Sequence, residues 1–190
     1  MPTLPIPQPT LSEADWLGEV YDLILHATGI DENKLIRGNQ SRMVLPSSGN
    51  YCIFTPIIRR RVGTNASIFT ADKAKPDKDG DDRKSVLLAV DIQLDFYGPD
   101  ADKLAQMMEI FVNSLDCLDY EKKSNMGIRV MTCTQPQDAT RIDDTRQYIN
   151  RWYVVISVSV LSTLTQKMPW FDSVDFTLKD IKNVDVFFKP

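Results

Sequence analysis

The stretch VDIQLDFYGPDADKLAQ, Val90 to Gln106, decides how the chain folds. Its first half alternates. Val90, Ile92, Leu94 and Phe96 fall on one side of an extended backbone, and Asp91, Gln93, Asp95 and Tyr97 on the other. A period of two marks a strand with one face in the core and one in water. Gly98-Pro99 breaks the strand, and Asp100 or Pro99 opens a helix. Asp102 stands in its first turn, where an anion suits the helix dipole. Leu104, Met108, Phe111 and Leu115, flanked by Met107 and Val112, are the expected core stripe of that helix.

Working outward, Ser12 reads as the cap of an earlier helix, with Glu13 and Asp15 in its first turn. Trp16, Val20, Leu23, Ile24 and Ala27 give its apolar stripe, and Gly29 stops it. Asp31 to Gly38 reads as one further short turn. Tyr51 to Val62 is rich in β-branched and aromatic residues and predicts a strand, with Pro56 restricting it to an edge or a kink. Ala66 to Ala71 reads as a short returning strand. Asp72 to Lys84, DKAKPDKDGDDRK, is nearly all charged and predicts an exposed hairpin loop or a disordered one. Met126 to Cys133 predicts another strand, and Gln147 to Leu164 the longest. Phe171 to Leu178 and Val184 to Phe188 are the last strand candidates. Residues 1–10, with prolines at positions 2, 5, 7 and 9, read as an extended arm ahead of one domain over 11–190. The expected class is α+β, one mostly antiparallel sheet with two main helices packed on one face.

Bulk composition narrows the function. The chain has 190 residues, 43% hydrophobic and 25% charged, and a net charge of −4. An acidic balance argues against nonspecific nucleic-acid binding, which needs cationic surface. Cys52, Cys117 and Cys133 are odd in number and lack zinc-ligand spacing, so they read as small buried hydrophobes in a reducing compartment. No apolar run reaches the ~20 residues that span a bilayer, and no signal peptide is read at the start.

Asp91 and Asp95 sit four apart on one strand face, which suits a divalent metal or an acid/base pair. The plainer reading is a solvent face of a strand, with Arg151 as cross-sheet partner. His26 is the sole histidine and stands near a helix C-terminus, where a cation is favourable. A small metal-dependent hydrolase would have to use Asp91, Asp95 and His26. No phosphate loop, dinucleotide-binding loop or nucleophile elbow is present, and no enzyme activity or cofactor is expected. Arg59, Arg60 and Arg61 form the densest basic run, with Arg59 and Arg61 on one strand face and Arg60 on the other. A protein partner is the preferred target of that run.

Three stretches together resemble the phage neck or tail terminator family: GNYCIFTPI from Gly49, DIQLDFYGPDADKLAQMMEIF from Asp91, and TQPQDATRIDDTRQYINRWYVVISV from Thr134. The matching residues are Gln93, Asp95, Tyr97, Gly98, Pro99 and Ala101, then Gln147, Tyr148, Arg151 and Trp152. The resemblance implies a structural virion protein assembled in the host cytoplasm. Such a protein forms a ring, usually a hexamer, that caps the tail tube, stops its polymerisation and joins it to the head connector. The implied partners are further copies of the chain, the tail tube protein and the connector, with DNA passing through without specific binding and no membrane involved. Arg59, Arg60, Arg61, Asp91, Gln93, Asp95 and Arg151 are the candidate interface residues. Another tail or baseplate ring component is the alternative.

Overall fold

A computed structural model describes residues 12–41, 44–46, 48–71, 79–124, 126–142 and 148–169. The proline-rich arm, residues 72–78 of the charged loop, and the candidate strands after residue 170 lie outside them.

The first helix, α1 (Glu13–Thr28), begins as its sequence dictates. Ser12 accepts from the backbone N–H of Asp15, and the Asp15 carboxylate accepts from the Ser12 N–H at 2.8 Å. This reciprocal capping box satisfies two donors that the helix itself cannot use. Gly29 closes the helix in the left-handed region at φ 66°, its N–H donating to the Leu25 carbonyl. A 3-10 turn (Glu32–Lys34) leads to the short strand β1 (Leu35–Arg37), which runs parallel to the next strand. That segment is therefore part turn and part sheet.

Strand β2 (Tyr51–Thr70) and strand β3 (Asp79–Tyr97) form a long antiparallel hairpin. Two expectations are corrected here. Ala66 to Thr70 does not return but continues β2, because Gly63, Thr64 and Asn65 form a bulge. Val62 pairs with Leu87 and Ala66 with Ser85, so β2 spends two more residues than β3 over that span. Asp79 to Lys84 is not loop but the start of β3, because pairing on both sides, Asp82 with Phe69 and with Gln166, holds its backbone. Pro56 acts as its chemistry predicts. Pairing with β1 ends at Phe54, and a register shift falls between Pro56 and Ile58.

Helix α2 (Ala101–Val112) follows the Gly98-Pro99 turn, and a third helix, α3 (Leu115–Lys123), follows it directly. Leu115 is not in the core stripe of α2. It is the first residue of α3 and stands exposed. Strands β4 (Ile128–Cys133), β5 (Gln137–Asp138) and β8 (Arg151–Pro169) complete the main sheet, in the order β1-β2-β3-β8-β4 with β5 also on β8. Strands β6 (Arg141–Ile142) and β7 (Tyr148–Ile149) make a separate small pair.

The core lies between the helices and one sheet face. Val90, Ile92, Leu94 and Phe96 of β3 and Val154, Ile156, Val158 and Val160 of β8 meet Val20, Leu23 and Ile24 of α1 and Ala105 and Met108 of α2, all buried. Helices on one face of a mostly antiparallel sheet make the fold α+β. Beyond Val160, β4 no longer accompanies β8. From there, among the described residues, β2, β3 and β8 run on together as a three-stranded blade of about ten residues per strand. At about 3.3 Å per residue it reaches roughly 30 Å past the helix-backed part.

Candidate assembly interface

Strand pairing brings the three resembling stretches side by side. Tyr51 pairs with Tyr97, and Tyr97 with Arg151. On the helix-free face the Tyr51 and Tyr97 rings stack at 4.7 Å, and the Arg151 guanidinium lies 5.9 Å from the Tyr97 ring. Burial raises both tyrosine pKa values, and for Tyr97 the nearby Arg151 charge works against that rise.

Asp91 and Asp95 are on this face, as the alternation predicts, but the face around them is not wet. Both are buried. Asp95 accepts from Arg151 Nη2 at 2.9 Å and Nε at 3.1 Å, and from Gln93 Nε2 at 2.9 Å. Asp91 accepts from Arg60 Nη2 at 3.2 Å and from the Ser157 hydroxyl. Flanking side chains on β2 and β8 cover the carboxylates, and a single strand read alone does not reveal such neighbours. Each carboxylate is thus occupied by cations and donors from adjacent strands. Burial works against the charge of Arg151, but its bonds and attraction to Asp95, with Tyr97 and Tyr153 nearby, together raise its pKa.

His26 is not part of this arrangement. It lies in the helix layer, stacked on Tyr120 at 4.3 Å and edge-on to Phe111 at 5.5 Å. The core separates it from Asp91 and Asp95, so the structure does not bring the three together. Among the described residues, no group of three or more His, Cys, Asp or Glu side chains is placed to hold a metal ion.

The arginine run splits as strand alternation requires. Arg59 faces the helices, pairing with Glu13 at 3.0 Å and lying 5.6 Å from the Trp16 ring. Glu13 also takes Arg37 at 2.9 Å. Arg60 faces the opposite side and takes Asp91. Arg61 returns to the helix side, at the base of the blade. It is exposed, and its Nε donates to the Gly63 carbonyl at 2.9 Å.

The blade offers a second feature. Val62, Leu87 and Leu161 stand directly opposite one another across its three strands, on the helix-free face, at 41%, 39% and 49% exposure. Ile58 and Ile68 extend this apolar row along β2. The blade's polar side chains settle among themselves. Asp82 accepts from the Ser67 hydroxyl at 2.8 Å and meets Lys84 at 3.2 Å, which holds its carboxyl below the usual carboxylate range.

Sequence reasoning missed two asparagines that pin the strand-to-helix turn. Asn50 donates to Asp100 and accepts from its N–H at 3.0 Å, while Asn150 donates to the Gly98 carbonyl at 2.8 Å. Gly98 sits at φ 112°, and a Cβ there would lie 2.5 to 2.8 Å from Asn50 and the Gly49 carbonyl. Two glutamates were also missed. Glu19 accepts from the N–H groups of Gly127 and Ile128, and Glu121 from that of Val130 at 2.6 Å, tying α1 and α3 to β4.

A family model described as phage neck terminator protein matches residues 14–186. The chain belongs to that family. No curated protein sequence matches it. The match takes in all three resembling stretches, the Tyr51–Tyr97–Arg151–Asp95 cluster and the blade. A neck terminator is a structural component of the phage particle and works among tail and head proteins; the family is not a known enzyme family. Among the described residues, no helix is long and apolar enough to cross a membrane.

Proposed function

We propose that this chain forms a ring, a hexamer in the expected case, that caps the tail tube, stops its polymerisation and joins it to the head connector. It is assembled in the host cytoplasm and acts without catalysis or cofactor. The observation that carries this reading is the blade. A sheet of three strands is stable when an apolar face is covered, yet this one leaves Val62, Leu87 and Leu161 in an open row. Contiguous exposed apolar surface rimmed by polar residues marks a protein–protein contact. A ring supplies the cover, because a heterologous contact repeated around an axis closes on itself. The blade's lateral strands, β2 and β8, lie at opposite sides of β3 and fit such head-to-tail contact. The buried Asp91 and Asp95 pairs then keep the helix-free face flat and rigid between neighbours. The net charge of −4 suits a channel that lets DNA pass without specific binding.

Electron microscopy of lysates from phage lacking this gene product tests the reading. Filled heads beside unjoined tails, some overlong, are the expected result. Normal joined particles, or heads with no tails, would refute it and favour another tail or baseplate component or a non-structural role.

A further inference from the structure

The ends of α1 and α2 and the outer side of α3 enclose a cavity of about 340 Å3, lined by His26, Phe111, Asp116, Asp119, Tyr120 and Lys123. Its aromatic walls are mutually braced, since Tyr120 stacks on His26 and meets Phe111 edge-on at 6.3 Å. Asp116 and Asp119 are exposed at its mouth and make no ion pair among the described residues. Ring faces attract cations, and carboxylates beside them add charge and directional acceptors. A planar guanidinium uses both, stacking and donating at once, which a lysine ammonium does less well. Among the described lining residues Lys123 opposes the two carboxylates and is outnumbered by them.

We propose that this cavity receives Arg61 of a neighbouring copy. The inference rests on the ring reading above and names one contact within it. Three observations on this chain select Arg61. Arg59 is held by Glu13 and Trp16, and Arg60 by Asp91, so both are used internally. Arg61 is exposed and, among the described residues, has a backbone carbonyl but no carboxylate for partner. It stands on β2 past the end of the β1 pairing, on one lateral flank of the sheet. The cavity belongs to the other flank, where Glu121 and Arg129 fasten α3 to β4, the last strand on that side. An unpaired cation on one flank and an acidic, aromatic cavity on the other are complementary surfaces for a heterologous contact.

The test is sedimentation velocity of the purified full chain over a wide concentration range, for wild type, Arg61→Glu, Asp119→Arg, and the two together. Both positions are exposed, and an unchanged far-UV circular dichroism spectrum confirms that each variant is folded. Arginine in a pocket at an interface is a common hot spot, and the expected loss is about 30-fold or more in self-association for each single variant. The charge-swapped double variant recovers at least about tenfold of that loss, as coupled charges do. A wild-type ring whose self-association the single variants alter by less than about threefold overturns the contact and leaves the ring reading standing. Loss in Asp119→Arg without loss in Arg61→Glu overturns it too, and assigns the cavity to another protein's cation. A wild-type chain that stays monomeric at every concentration overturns the ring and the contact together.

Discussion

Removing the Asp95 carboxylate separates a structural reading of the helix-free face from a metal-binding one. Asp95 is buried and takes two bonds from Arg151 and two from Gln93 Nε2, all at 2.9 to 3.1 Å. Asp95→Ala leaves Arg151 without its partner in a site where its side chain is only 24% exposed. Breaking a fully buried pair costs about 3–5 kcal/mol. Arg151 can partly rehydrate, so the lower figure of about 2–3 kcal/mol for losing charge-assisted bonds applies. For a chain of this size that is roughly 5–10 °C in the thermal midpoint. Arg151→Ala is expected to cost about as much, because it strands a buried carboxylate. The double variant should then cost less than the sum by about 1–3 kcal/mol. Urea unfolding of the four proteins measures this, with the m-value as a check that the unfolded state is unchanged. Additive losses, or an Asp95→Ala change under about 0.5 kcal/mol, would refute the pairing. So would a rise in the wild-type midpoint with Mg2+ or Mn2+ that Asp95→Ala abolishes, since that is the signature of a metal site.

Three further predictions follow from other parts of the molecule. Gly98→Ala should destabilise by about 3 kcal/mol or more, because its φ of 112° excludes a side chain and backbone atoms stand in the way; an unchanged unfolding midpoint would contradict the turn geometry. The thiols should resist iodoacetamide at pH 8 until the chain unfolds, since burial pushes Cys117 up to about 11, Cys133 up to about 12 and Cys52 well above the usual thiol range; rapid labelling of the native protein, read by mass spectrometry, would count against this packing. Stability should fall in acid. Asp15, Asp82 and Asp100 are held below the ordinary 3.8 by Ser12, Ser67 and Lys103 respectively, so their contribution is complete above pH ~3.8 and is lost as pH drops below it through their folded values; a thermal midpoint flat from pH 5 to 2.5 would contradict it.

How much of this was legible in the sequence depended on whether a signal is local. The period of two in Val90 to Tyr97 named the buried face correctly, because alternation is fixed by the backbone itself. Ser12, Gly29 and the Gly98-Pro99 break were legible for the same reason. The third helix was not, since LDCLDYEKK buries only Cys117 and Glu121 and shows no apolar stripe. The outer half of β2 was misread because Gly63-Thr64-Asn65 has the composition of a turn but serves as a bulge. At the candidate interface, the split of the arginine run between two faces could be read, and so could Arg151 as a partner. That Arg59 belongs to Glu13, 46 residues away, could not. Nor could the burial of Asp91 and Asp95, which depends on which strands flank them.

If the proposed function holds, this chain ends a tail tube. The direct measurement is the length distribution of tubes grown from purified tail tube protein with and without the purified chain, by electron microscopy. Shorter tubes with a ring of added density at one end are expected, with growth that stops once that ring is in place. Tubes of unchanged length with bare ends would contradict it.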